Sequence, residues 1–306
     1  MKSISYNILY NILEKIDKKD DFDKSTFFDA DIEKLLDANL LNSFDYQEKS
    51  VLGIDIYEYS QFEFKKQTLV PFVFDLIYKD AIRFTKYEES ILFSDFTFVN
   101  KFIPTGDGGF VIFDNPVQAL IFNTIFQTLL HTYNAMKFFP KVRNFVGPLF
   151  IRSCITMNKV YSYENNFYGP AIITNARILS KDRLNRFLID ENSFQWFYHT
   201  INGLESITIT TLEDLLIALN IKTPKGQSGL FIKEVDYSSK ENMRELSRYL
   251  SCHVQKIGKI KSKLDHISIY NVEIQCYTYL IDEKDDTNSI KCLITLGNLN
   301  CSGISD

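Results

Sequence analysis

Apolar and polar positions follow one another along this chain in two rhythms, one of period two and one near 3.6, and their succession predicts an α+β fold. Val51-Leu52-Gly53-Ile54-Asp55-Ile56 is a short apolar run that closes on an acidic residue, as expected where a buried strand reaches the edge of a sheet. Residues 69–84 carry apolar side chains at helical spacing and are expected to pack on that sheet. Residues 110–113 read as a buried strand leaving a glycine-rich turn. Asn115 then stands at an N-cap with Pro116 in the first helical position, and Ala119, Phe122, Phe126 and Leu129 share one face of the helix beyond it. Residues 149–157 alternate as a half-buried strand. Gly169-Pro170 opens a further helix in which Ile173 and Arg177 lie one turn apart.

Beyond residue 182 the pattern weakens. Thr211-Leu212-Glu213 starts one helix, and residues 239–249 read as another. Residues 257–272 alternate like a strand pair, with Lys259, Lys261 and Lys263 on one side, and 273–297 form a hairpin around a polar loop at 283–288. At the other end, residues 1–48 are charged and leucine-rich, and Ser25 or Asp29 could cap a short helix there. This gives three expected parts: a helical segment over 1–48, a main domain over 49–275 and a strand extension over 276–306. No internal repeat or low-complexity linker interrupts them.

Composition narrows the classes. A chain of 306 residues, 45% hydrophobic and 24% charged, is long enough to bury a substantial core, and its 26 Phe and 17 Tyr make that core aromatic. A net charge of −5 argues against a broad nucleic-acid or anionic-membrane surface, so phosphates would have to be held by a local cluster of positive charge. The five cysteines and four histidines show no metal-ligand spacing. With no secretory leader and no apolar run near 18 residues, the expectation is a cytoplasmic protein with reduced thiols and no direct membrane insertion.

Candidate chemistry gathers at residues 104–113, P-T-G-D-G-G-F-V-I-F. Gly106, Gly108 and Gly109 are expected to take positive φ and form a tight turn that presents Asp107. Such a turn can be only a turn, and Asp55 can be only a strand-end cap. If the two carboxylates are adjacent, they suit two divalent cations, Mg²⁺ or Mn²⁺, on oxygen ligands. Arg177 and Lys261 could then neutralise charge on phosphates, although a salt bridge or a protected edge strand would explain each equally simply. The class implied is phosphoryl transfer from a nucleoside triphosphate.

The order and spacing of these pieces resemble the class III nucleotidyl cyclase catalytic domain. Asp55-Ile56-Tyr57-Glu58-Tyr59-Ser60 resembles its D-I-x-x-[FY]-[ST] strand end, and Gly106-Asp107-Gly108-Gly109-Phe110 its hairpin tip. Residues 152–160 resemble its R-x-x-I-x-x-G-x-V strand, with Asn158 in the glycine position. Residues 169–178 resemble its G-x-x-[VI]-x-x-x-A-R-[ILM] helix, and 261–270 its late lysine strand, with Ser262 for a glycine. The resemblance covers 48–185 and 256–275. It implies a ferredoxin-like βαββαβ core with an N-terminal helical segment and a C-terminal β-hairpin extension. It also implies a head-to-tail homodimer whose composite sites join Asp55, Asp107 and the Ile56 carbonyl, holding two metal ions, to the other copy's Arg177 as transition-state arginine and Lys261 or Lys263.

Three positions depart from the purine cyclases that this family contains. The usual ribose-binding asparagine falls at Ile173, with Asn175 as the nearby substitute, and the two purine-reading positions fall at Ile103 and Asn166. An amide can read a uracil or cytosine edge. The set therefore resembles the pyrimidine cyclases of Pycsar antiphage systems, which make cyclic UMP or cyclic CMP for a separately encoded effector. Tyr57 and Tyr59 are then candidates for narrowing the pocket. The resemblance implies a uridylate or cytidylate cyclase; an adenylate cyclase with an atypical base pocket and a non-catalytic nucleotide-binding or dimerisation module are the alternatives.

Overall fold

The computed structural model describes residues 47–93, 101–135, 137, 139–163, 166–221, 231–232, 248–261, 266–282 and 285–304. Residues 1–46 of the helical segment expected over 1–48, and the position of Lys263, lie outside them. Strand β1 (Gln47–Ile56) shows how one period-two pattern feeds two faces. Leu52, Ile54 and Ile56 join the large core, while Val51 enters a smaller apolar layer on the opposite side. Gln47 and Glu48 belong to this strand, which corrects the expectation of helix at those two residues.

The chain continues through α1 (Val70–Glu88), β2 (Phe102–Pro104), β3 (Gly108–Phe113), α2 (Pro116–Asn134), a short α3 (Pro140–Val146) and β4 (Ile151–Tyr163). These strands lie in the order β2-β3-β1-β4 with every neighbour antiparallel, which is the ferredoxin-like βαββαβ arrangement. Next come β5 (Asn166–Tyr168), α4 (Pro170–Lys181), β6 (Phe187–Asp190), α5 (Glu191–Ile201), α6 (Leu212–Ala218), β7 (Tyr249–Lys261), β8 (His266–Asp282) and β9 (Asp285–Leu296). Strand β6 runs parallel to β4 and extends the sheet to β8 and β7, and β9 pairs with β8 as a hairpin. Strand β8 passes through 275 and 276 without a break, so the rest of β8, and β9 with it, belongs to the same sheet as the main domain. Tyr249 opens β7 and is no part of the helix expected over 239–249, whose other residues, apart from the bend at Arg248, lie outside the described set.

Helices α1 and α2 cover one face. Val73, Phe74, Ile77 and Ala81 of α1 pack with Phe122 and Phe126 of α2 over Leu52, Ile54 and Phe113. Full burial of each of these side chains other than Ala81 contributes about 1.5–3 kcal/mol. Helix α2 is buried all round from Pro116 to Phe126, so its polar groups need partners. The Gln118 amide donates to Leu92 O at 2.7 Å, Asn123 to the Ser153 hydroxyl at 3.2 Å, and the Thr124 hydroxyl to Leu120 O at 2.9 Å. At its start Asn115 accepts from Gln118 N at 3.0 Å, which is the expected cap.

Helix α4 covers the other face. Its Ala171, Thr174, Asn175, Ile178 and Leu179 turn to the sheet, and Ile178 and Leu179 pack with Cys154 and Leu188.

Candidate active site

Strand parity brings the acidic pair together. Asp55 points to the α4 face of β1, opposite Gly108 on one side and Arg152 on the other. The β2–β3 tip carries Asp107, whose carbonyl accepts from Ile56 N at 3.0 Å. Of the three glycines expected at positive φ, only Gly106 has it, at 100°. Gly108 and Gly109 lie in extended strand and serve a different need, close approach: a Cβ on Gly108 would sit 2.0 Å from Ile54 O. Without that side chain the hairpin can lie directly against the end of β1.

Arg152, to which the sequence motifs assigned no role, donates from Nε to Asp55 Oδ2 and from a terminal nitrogen to the Asp182 carbonyl. Burial raises the Asp55 carboxyl above its ordinary range. Arg152 pulls it back down, and Asp107 raises it again, both by its charge and as a hydrogen-bond partner. On balance the carboxyl stays raised, so Arg152 offsets only part of the cost of two carboxylates in a half-buried place. Two carboxylates are hard-oxygen donors suited to Mg²⁺ or Mn²⁺, and the next residue after Asp55, Ile56, is tied to the same hairpin through its N–H. Among the described residues no cluster of three or more His, Cys, Asp or Glu side chains is placed to hold a metal, so this pair stands without a further such ligand.

Beyond the end of β1 lies a cleft of about 430 Å³ lined by Tyr57, Glu58, Gln61, Phe62, Phe150 and Asn185, among others. Tyr57 faces this space. Tyr59 does not: it packs against the main core and its hydroxyl donates to Gln67 O at 3.2 Å, so it does not narrow the cleft.

Asn175 is the clearest correction. It is fully buried, and its amide nitrogen donates to Val51 O and Cys154 O at 2.8 Å each and lies 3.2 Å from the Thr156 hydroxyl. It ties α4 to two strands and is not available to a ribose. Ile173 is 53% exposed on the outer side of the same helix, next to the half-buried Arg177.

The remaining residues stand apart from the carboxylates. Pairing aligns Ile54, Ser153, Phe187, Val272 and Val254 in one row across five strands. Lys261 is seven residues past Val254, roughly 23 Å further along the strand, on a strand four spacings, about 19 Å, from β1. Asn166 lies at that same far end, exposed, with its Oδ1 accepting from Phe167 N at 2.8 Å. Ile103 pairs with Phe110 and packs, as Phe167 does, against the apolar cluster of Val51, Ile112, Val160 and Ala171. Thus one chain gathers Asp55, Ile56, Asp107 and Tyr57 at one end of the sheet, and leaves Asn166 and Lys261 at the other.

No family model matches the chain, and no curated protein matches it. Solved structures do. The guanylyl cyclase Cya2 aligns over 75% of this chain and 93% of its own at 13% identity and a TM-score of 0.41. The guanylate cyclase domain of RhGC from Catenaria anguillulae in complex with GTP aligns over 74% and 96% at 14% identity and a TM-score of 0.40. The adenylyl cyclase CyaB from P. aeruginosa aligns over 74% and 95% at 13% identity and a TM-score of 0.38. Likeness at this level fixes neither a family nor an activity for this chain. Among the described residues no helix is long and apolar enough to cross a membrane.

Proposed function

We propose that the chain is a nucleotidyl cyclase that converts a pyrimidine nucleoside triphosphate to its 3′,5′-cyclic monophosphate and pyrophosphate. The reading is supported by the meeting of Asp55 and Asp107 beside Arg152, with Lys261 at the opposite end of the sheet in the same chain. Asp55, Asp107 and the Ile56 carbonyl would hold two divalent cations. When bound, such ions activate a hydroxyl and neutralise a leaving phosphate. The ribose 3′-oxygen bonds to the α-phosphorus, the bond from that phosphorus to the bridging oxygen breaks, and the hydroxyl proton leaves to water. Arg152, next to the carboxylates, supplies positive charge where pyrophosphate departs.

Arg177 and Lys261 belong, on this reading, to the site of a second copy. A head-to-tail two-fold pairing sets the acidic end of one sheet against the lysine end of the other, which suits their separation within one chain. Asn166 supports a pyrimidine. Its Oδ1 already accepts from Phe167 N, so its amide N–H groups are what it offers a ligand, and these match the O4 of uracil better than the amino group of cytosine. With Ile103 supplying only apolar surface, UTP is favoured over CTP, and ATP lacks a purine-reading pair. The accompanying role is second-messenger synthesis in antiphage defence, read by a separate effector.

Asp107→Ala tests the reading. The variant should stay folded and dimeric by scattering while product formation falls by at least about 10²-fold. Turnover unchanged in that variant would remove the acidic pair from the chemistry, and a folded wild type with no turnover would leave a nucleotide-binding module.

A further inference from the structure

One polar chain links the acidic pair to a distant segment. Arg186 is 2% exposed and Asp182 1% exposed, and two nitrogens of the Arg186 guanidinium bond Asp182 Oδ1 at 3.0 and 2.6 Å. The third donates to Asn300 O at 3.1 Å and Ser302 O at 2.7 Å. Every nitrogen of this buried fork is therefore committed, two to the α4–β6 loop and one to the 298–304 segment. The same loop supplies the Asp182 carbonyl that Arg152 bonds while it bonds Asp55. Arg186 O also accepts from Ser153 N at 2.9 Å, next to Arg152 in β4.

The 298–304 segment is itself fitted to the sheet. Asn298 donates to Asn185 O at 2.8 Å, and Ile304 N donates to Ile257 O at 3.3 Å. Ile304 is buried among Ile257, Ile260 and Leu188. Gly258 makes room for it, since a Cβ there would lie 2.3 Å from Ile304 O. None of these strap residues touches the acidic pair.

We propose that Arg186 is a positioning residue, and that the 298–304 segment, through Arg186 and the Asp182 peptide, holds Arg152 in place against Asp55. The functional part of this inference rests on the cyclase reading; the coupling itself does not. Displacing the strap removes two acceptors from Arg186, lets the 182–186 loop move, and frees Arg152 to swing away from the carboxylate. A rearranged Arg152 should lower kcat more than it raises the KM for the triphosphate, because the groups that bind the rest of the nucleotide are untouched.

Gly258→Val, which collides with the Ile304 carbonyl, and Ile304→Ala, which loosens its anchor, test the coupling in the full chain. The readout is hydrogen exchange of the Arg152 Nε–H, followed by nitrogen-15 NMR without nucleotide and assigned by its loss in Arg152→Lys. The expected result is exchange at least about tenfold faster than in the wild type, in at least one of the two folded variants. Arg152 exchange unchanged in both overturns the proposal, whatever the enzyme turns over. A wild type that makes no cyclic product would sink the cyclase reading and leave the exchange result to decide the coupling.

Discussion

Gly53 and Asn175 compete for one space: a Cβ on Gly53 would lie 2.0 Å from the Asn175 Oδ1. The glycine lets a buried amide lie flat on the sheet and donate to β1 and β4 at once. Gly53→Ala should therefore force Asn175 or Leu179 to shift and cost about 1–3 kcal/mol, read as a lower denaturant midpoint at unchanged m. Asn175→Ala should destabilise by a similar amount, because the buried side-chain bonds from α4 to Val51 O and Cys154 O are lost and a cavity is left. If Asn175→Ala instead left stability unchanged and raised only the KM for a triphosphate, Asn175 would return to the substrate site.

Asp190 makes stability depend on pH. Its carboxyl caps α5, accepting from Ser193 N at 2.9 Å, and complete burial pushes its pKa up to about 6. A carboxyl raised in the folded state binds its proton more tightly there than in the unfolded chain. Its contribution is then fully present below the unfolded value near 3.9 and is lost as pH rises through about 6. Asp190→Asn keeps an acceptor for Ser193 N and cannot titrate. The stability difference between wild type and variant should move by about 3 kcal/mol at most between pH 4 and pH 7, against the wild type at the higher pH. A difference that stays flat across that range would mean Asp190 is not held in this environment.

The separation of Asp107 from Lys261 and the outward face of Arg177 predict a complementation. Asp107→Ala and Arg177→Ala should each be inactive alone, with losses of about 10²–10³-fold. Mixing equal amounts after subunit exchange should restore about a quarter of wild-type activity, because half the dimers then hold one intact site of two. No recovery from a mixture shown to exchange subunits would place both residues in one chain's site.

Much of this arrangement was legible in the sequence because local rules coincide with tertiary demand. The Asn115-Pro116 start of α2, the alternation of β1 and β4 and the Asp107 turn each arise from residues a few positions apart. What was not legible depends on which strands become neighbours. Arg152 meets Asp55 only because β4 pairs with β1 in one register, and a slip of one residue would turn its side chain to the other face. Gly108 looks like a turn former in sequence and Gly53 like one more strand position, yet both act by lacking a Cβ where another element comes close. Strand β6, four residues long, and α5, which begins at the next residue, gave too short a pattern to separate. Asn175 looked like a ribose ligand because nothing local marks which side of α4 faces the sheet.

On this reading the Asp55–Asp107 site cyclises a pyrimidine triphosphate. Purified protein incubated with ATP, GTP, CTP or UTP and Mn²⁺, with products resolved by mass, tests it directly. The predicted products are a cyclic pyrimidine monophosphate and pyrophosphate, cyclic UMP ahead of cyclic CMP, and neither from Asp107→Ala. Cyclic AMP or cyclic GMP as the main product would contradict the roles given to Ile103 and Asn166, and no cyclic product from any triphosphate with an intact dimer would contradict the cyclase reading as a whole.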